Sequence, residues 1–546
     1  MALYPTRTQV ARLLRAAAIF LAFLIGSVTT VRSQHWQNVV QISTTEDDAS
    51  TRLALDSNSD VVTVGTFEGD LTIDSITLSS LGMSSLYCAK FDHIGRVTWA
   101  TVVGTCIGDS SSIEGRDIAV GPDGSVYIAG KLKGSGLFGD VTRTSVGYSD
   151  MLAIKLWPDG SLAWVRTAGG MGTGTFWQTT ANGIAIDNKQ FTYLIGSYNQ
   201  NLDIDNIHLQ SSNTNELAVL CLDSAGNARW GRSASGAGIH FGNALALGPD
   251  GRLFCVGSFF GSLYLQETTV DAGDPESKIF LLSLDTTGRV LYANRVGSGG
   301  YYGFANDISV TSSGELLLCG GYRADLDIGS DHYSYNNSYR YASLVVKYDH
   351  FGRVMWSATS GGDDQSSSAN AIVPGPDGHV LVAGACSYTT IFGSDTLKRE
   401  SGSSSYLAVL DRDGHYLHAR RADGGSSAAH DVVCDRDGNI ALLGDFRGSV
   451  SFGGTVLSSA GGSDVYIVRS TDMDLGVTLG GPQIGQANFY PNPADRNVHI
   501  QSSGFFILTD LLGRVRLRID APTNVDLSGL PSGRYLLNGQ SLVIRH

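Results

Sequence analysis

Past residue 26 this chain has no apolar run long enough to cross a membrane as a helix, which takes about 20 residues. Sustained 3.6-residue apolar periodicity is also missing, which argues against helical and α/β architectures. No Cys-x-x-Cys pair occurs among the seven cysteines, so zinc and dithiol chemistry find no motif. Gly-x-Ser-x-Gly, His-Glu-x-x-His and Walker loops are absent too. The stretch Gly134-Ser135-Gly136-Leu137-Phe138-Gly139 matches a dinucleotide fingerprint in letters only, because no helix follows it. Positive charge is scarce: 38 Lys and Arg stand against 52 Asp and Glu, a net charge of −14. Nucleic acid and anionic membrane both need a basic footprint, so neither is an expected partner. No cofactor, metal or catalytic constellation is expected.

What the chain does have is repetition. A glycine closes a short apolar run at Gly65, Gly130, Gly196, Gly257, Gly320, Gly384 and Gly444, giving seven copies of one unit. Six residues before each glycine comes a turn, reading Gly-Pro-Asp-Gly at 121–124, 248–251 and 375–378. Each unit holds four apolar segments, as in Asp117–Val120, Val126–Ala129, Met151–Leu156 and Leu162–Arg166. Alternation and β-branched enrichment make these strands, joined by tight turns in which Pro presets φ and Gly accepts a positive one. A second turn, Asp-x-x-Gly, is followed after four residues by Trp99, Trp164, Trp230, Tyr292, Trp356 and then His418. Repeated four-stranded meanders of this kind predict an all-β fold, a seven-bladed β-propeller.

The last unit ends at Val465–Arg469 without its aromatic fourth strand. Trp36-Gln37-Asn38-Val39-Val40 resembles Trp99-Ala100-Thr101-Val102-Val103, so the N-terminal strand is expected to close the ring and remove its free edges. The marker glycines are expected at a bulge or a close approach between blades. The aromatics two residues on (Phe67, Tyr198, Phe259, Tyr322, Phe446) should be packed. The cysteines mostly lie in strand runs and read as free, buried thiols.

Residues 1–33 read as a secretory signal: Arg7, Arg12 and Arg15 precede the apolar run Ala16–Gly26. Removing them takes away four arginines and no acid, so the net charge falls from −14 to −18. The expected domains are the signal peptide 1–33, the propeller 34–474, a Gly-rich linker 475–486 and a small C-terminal β-sandwich, 487–546.

That last segment carries three motifs in order. They are Tyr490-Pro491-Asn492-Pro493, then Asp510-Leu511-Leu512-Gly513-Arg514, then Asp526-Leu527-Ser528-Gly529-Leu530 with Gly533 and Tyr535. Together they resemble the type A C-terminal sorting domain of the type IX secretion system. The resemblance covers about 60 residues and implies export across the outer membrane of a Bacteroidota-type bacterium. It implies the secretion machinery as a partner, and a protein secreted or attached to the outer cell surface. The ending Val543-Ile544-Arg545-His546 departs from the Lys-terminated strand of that family. The repeats are similar, more loosely, to β-propeller repeats of such secreted proteins, a likeness that carries no activity.

In an up-and-down meander the two tight turns share one end, and the longer connections share the other. Any ligand site is expected at the long-loop end. Its interblade loops carry Phe176, Trp177, His240, Phe241, Tyr301, Tyr302 and Phe304. Of these, Trp177, His240, Phe241, Tyr301 and Tyr302 are the candidates to contact a glycan or protein ligand. Asn182, Asn243, Asn306 and Asn370 recur at one register, with Thr51, Arg116 and His430 in the other units. They read either as a ring of binding amides or as ties to the strand-entry backbone. A glycan-active enzyme is the alternative, using Asp109, Glu114, Asp363 and Asp364. The Asp-Arg-Asp-Gly stretches at 411–414 and 435–438 read as turns, not calcium loops.

Overall fold

The computed structural model describes residues 36–44, 46, 49–171, 178–211, 215–273, 275–299, 301–335, 340–362, 366–470, 489–490, 497–510, 515–528, 530–537 and 540–544. The expected leader (1–33) and linker (475–486) lie outside them. The chain divides into two compact units, meeting between Asp472 and Met473. Among the described residues no helix is long and apolar enough to cross a membrane.

The first unit is all-β. Its sheets are antiparallel meanders, such as Thr180–Ile186, Thr192–Tyr198, Glu216–Leu222 and Ala228–Ser233. The 24-residue strand Val97–Val120 ends one meander and begins the next. A short hairpin, such as Asn201–Ile204 with Ile207–Gln210, fills the connection from second to third strand. Each second and third strand is buried on both faces, which is why they read as unbroken apolar runs. Innermost strands pack in sequence order, and the last, Asp423–Cys434, packs against the first, Ala49–Leu55.

The N-terminal strand Gln37–Ser43 pairs with Asp464–Ser470, Val39 opposite Val468 and Ile42 opposite Val465. The expected partner is right and the alignment is corrected by two residues. Val39 occupies the place that Ala100 holds opposite Ala89, and Asn38, the extra residue at a register shift before it, lies against Gly95 as Trp99 lies against Gly160. A slip of two keeps every side chain on its face, so alternation could not reveal it.

Two sequence markers turn out to be one device. Each innermost strand has a register shift at the Asn position, between Ala181 and Gly183, Gly242 and Ala244, Ala305 and Asp307, Ala369 and Ala371. The asparagine is the extra residue of a β-bulge. The bulge drives a carbonyl against the neighbouring strand: a Cβ at Gly196 would sit 1.9 Å from the Thr180 oxygen, and at Gly257 1.8 Å from that of Phe241. The marker glycine therefore answers a bulge within its own sheet, rather than an approach between blades. The freed amide then ties successive repeats together. Nδ2 of Asn182, Asn243, Asn306 and Asn370 donates to the carbonyls of Gly242, Ala305, Ala369 and Ala429, at 2.7–2.9 Å. Asn306→Ala should cost about 0.5–1.5 kcal/mol, the net worth of one such bond. Urea unfolding checks it; an unchanged midpoint would mean that the tie contributes nothing.

A second latch works at the tight-turn end. The indole N–H of Trp99, Trp164, Trp230 and Trp356 donates to the carbonyls of Pro158, Ser224, Thr286 and Arg412, each in the turn after the third strand of the following repeat, which reads Trp-Pro-Asp-Gly at 157–160 and Asp-x-x-Gly in the others. The aromatics at Phe67, Tyr198, Phe259, Tyr322 and Phe446 are buried, as expected. All seven thiols are unpaired, and Cys434 alone is not fully buried.

Among the described residues the second unit holds a five-stranded antiparallel sheet built around Asn497–Asp510 and Val515–Asp526. Its longest pairing breaks between Ile500 and Gly504, the kind of irregularity at which strands turn a corner.

Candidate functional site

At the centre of the array, side chains from distant repeats meet. Arg52 Nε lies 3.8 Å from Asp117 Oδ1, and Arg52 Nη1 donates to the His430 carbonyl at 2.8 Å. Asp117, Asp307 and Asp431 each accept an N–H from the next innermost strand: Ile184 (2.8 Å), Ile372 (2.9 Å) and Leu53 (2.5 Å). Their other oxygens accept from Ile118, Ile308 and Val432. Burial opposes the charge on Arg52, yet Asp431, Asp307 and Asp117 outweigh it and hold the guanidinium above its ordinary value. Burial pushes Asp117 up to about 6 and Asp431 up to about 7, with Arg52 pulling the other way. Asp307 is raised for the same reason. Raised carboxylates near an opening suggest acid catalysis. Here both oxygens of each carboxylate are held by main-chain N–H groups, so they serve as ties between repeats.

Of the carboxylates named for an enzyme, only Asp109 and Glu114 lie among the described residues. Glu114 would be raised by burial, but Lys131 at 2.6 Å and Arg116 at 2.5 Å hold it below its usual range. A general acid needs the reverse. Asp109 is exposed, and Asp363 and Asp364 lie outside the described residues.

The aromatic candidates also divide. His240 and Tyr301 are fully buried, which corrects their expected display at the surface. His240 Nε2 donates to the Ser262 carbonyl at 3.0 Å, and desolvation lowers its pKa, keeping the ring neutral. The Tyr301 hydroxyl donates to the Val296 carbonyl, and its ring lies under the Lys278 ammonium at 4.8 Å. Both are strand-entry packing residues. Phe241 is half-buried, and Trp177 with Phe176 lies outside the described residues.

Tyr302 is half-buried and belongs to a cluster that the loop letters only partly showed. It meets Phe260 (centroids 6.3 Å apart) and Tyr341 (6.0 Å), and Tyr341 meets Phe304 at 5.1 Å. The Arg323 guanidinium lies 4.5 Å from the Tyr302 centroid and 5.6 Å from that of Tyr341. Arg340 stacks 4.1 Å from the ring of Tyr388, which is 42% exposed. These residues flank the ends of Tyr302–Val310, Leu316–Arg323, Ala342–Tyr348 and Val380–Ser387, all at the long-loop end. Phe260, Arg323, Tyr341 and Tyr388 sit where second strands end and third strands begin. Inspection of interblade loops alone therefore passes over them.

The opposite end has depressions of about 520 and 470 Å³ lined by the tight turns. Of their carboxylates, Asp187 accepts from the N–H groups of Lys189 and Phe191, Asp435 from those of Asp437 and Asn439, and Glu315 pairs with Lys347 at 2.8 Å. Among the described residues no group of three His, Cys, Asp or Glu is placed to hold a metal.

In the C-terminal unit, Asp526 accepts from Ser528 N at 2.9 Å, capping a turn closed by Leu530 N to Leu527 O. Leu527 and Tyr535 are buried, and the Tyr535 hydroxyl donates to Pro531. Tyr490 and Asp510 lie in strands and Gly533 begins one. Pro491, Asn492, Pro493, Gly513 and Arg514 lie outside the described residues.

The fold thus defines a propeller-like, all-β repeat. No protein-family model matches the chain. An uncharacterized WD repeat-containing protein of Acanthamoeba polyphaga mimivirus is 21% identical over 351 residues, 58% of this chain. The match spans only 22% of that relative's length. Solved structures of a polysaccharide lyase, an ulvan lyase with and without a bound saccharide, align at TM-score 0.41 and 9% identity. They cover 79% of this chain and 96–97% of theirs, a likeness too weak to carry an argument.

Proposed function

We propose that the chain is a secreted or cell-surface scaffold, a closed seven-bladed β-propeller that binds a ligand at its long-loop end. We further propose that it is exported through the type IX secretion system by residues 487–546. The observation that carries the binding reading is the half-buried cluster Phe260, Tyr302, Phe304, Tyr341 and Arg323. The buried aromatics elsewhere, such as Phe67 and Tyr198, are consumed by packing, and the tight-turn tryptophans by latching. The export reading rests on the three sorting motifs. For the alternative, a glycan-active enzyme, Glu114 is ion-paired and the raised aspartates are bound to the main chain, while Asp363 and Asp364 lie outside the described residues.

Tyr302→Ala should abolish or strongly weaken binding on a glycan and surface-protein array, with little change in melting temperature. Phe351→Ala, removing a ring 54% exposed in a tight turn at the other end, should bind normally. Equal losses in both variants would sink the assignment of the face. Removing 487–546 should leave the protein inside the outer membrane of its host; unchanged export would sink the sorting reading.

A further inference from the structure

The cluster around Tyr302 continues along the long-loop end through a chain of contacts. Tyr341 adjoins Arg340, which stacks on Tyr388; Tyr388 adjoins Thr389, which pairs with Lys398. Beyond it a crevice of about 600 Å³ is lined by Lys398, Arg399, Glu400, Ser401, Arg421 and Asp423, three cations against two carboxylates. Arg399 is oriented by its own loop: Nε donates to the Ser401 carbonyl at 2.5 Å and Nη1 to Ser404 Oγ at 2.7 Å. Arg421 points its charge into the same space. Burial and the neighbouring Arg421 hold Arg399 below the ordinary arginine value, outweighing the attraction of Asp423. The acid nearest Arg421, Asp423 at 3.0 Å, is 73% exposed, so it neutralises little.

Arg399 and Arg421 line one crevice, and their like charges repel, so their proximity does not itself stabilise the fold. They form a preset fork for an oxyanion, which arginine grips with paired N–H donors. In a chain of net charge −14, such a concentration runs against composition. The ring of Tyr388 beside it, and that of Tyr302 further along the same end, offer flat apolar faces, which suit sugar rings better than a flexible acidic peptide.

We propose that this strip takes an acidic polysaccharide, with its carboxylate or sulfate groups on Arg399, Arg421 and Lys398 and its sugar faces on Tyr388 and Tyr302. The proposal rests on the binding reading above and adds the ligand class. The test is affinity electrophoresis of the full chain in polygalacturonate, dextran sulfate, neutral dextran and polyglutamate, at low and high salt. Retention should occur in one or both acidic polysaccharides, weaken with salt, and be absent in dextran; the stronger of the two arms tells carboxylate from sulfate. The pair Arg399→Gln with Arg421→Gln should weaken it roughly 10- to 100-fold, the worth of charge-assisted bonds. The pair Arg399→Lys with Arg421→Lys keeps the charge and loses the paired donors, so its binding should fall between the native protein and the glutamine pair, which separates lost charge from a loosened loop. Equal retention in dextran, insensitive to the arginine variants, would overturn the acidic assignment and leave the binding reading standing. So would retention in polyglutamate alone, which would mark a protein partner. No retention in any polymer would overturn both.

Discussion

Replacing Arg52 by methionine should destabilise the repeat array by about 3–5 kcal/mol, the usual result of stripping the partner from buried charges. Asp431 is 6% exposed, and the Arg52 and Asp117 side chains keep about a fifth of their surface (19% and 20%). Three carboxylates share this one guanidinium, and methionine would fill its volume without its charge. The pH dependence distinguishes lost charge from lost packing. Asp117 at about 6 and Asp431 at about 7 stand above their ordinary 3.8, so the folded state holds protons that the unfolded chain releases. The stabilising contribution of these protons is complete below the ordinary value. It disappears as pH rises through 6 and 7. The native protein should therefore have a lower urea midpoint at pH 8 than at pH 5, as far as these groups are concerned. Arg52→Met should widen that gap, because the attraction that restrains both values is gone. A variant with the same gap as the native protein would show that Arg52 does not neutralise this cluster.

Deleting the strand Gln37–Ser43 should have the other large effect. It removes the pairing of Val39, Val40, Gln41 and Ile42 with Asp464–Ser470, and with it the fully buried Ile42. Several kcal/mol is the expected loss, summing one buried aliphatic and a short run of ladder bonds. The exposed edge of Asp464–Ser470 would then be free to pair with another chain. The shortened protein should melt earlier and associate as its concentration rises. A synthetic peptide of residues 36–43 added in excess should restore the melting temperature. If the shortened chain melts with the full one and stays monomeric, the strand does not close the array.

Much of the fold was legible because it repeats. Glycine, turn and aromatic recur at matched offsets, and a missing last strand matched a stray first one. The letters did not show why. Gly196 looks like any turn glycine until the Thr180 carbonyl, displaced by the Asn182 bulge, is seen to occupy its Cβ position. Trp99 looks like a core residue, yet its indole N–H reaches Pro158 across the boundary between repeats. The site was half legible. Tyr302 was found from its loop, whereas His240 and Tyr301, drawn from equivalent loops, proved to be buried. Nothing local separates them, because exposure there depends on how neighbouring elements fold over each loop.

By itself the sequence determined the all-β class, the repeat and the seam between first and last strands. These follow from short-range chemistry: alternation, turn residues and motif spacing are written in neighbouring letters. Tertiary structure alone decided the two-residue register of the closing strand and the gathering of Arg52 with three aspartates from other repeats. It alone joined Tyr302 and Tyr388 to the arginines at 399 and 421. Those relations span hundreds of residues of chain: Leu53 and Asp431 are 378 apart, and Val39 and Val468 lie further apart still. They arise because packing successive sheets brings corresponding ends together, a consequence of geometry that no window of sequence contains.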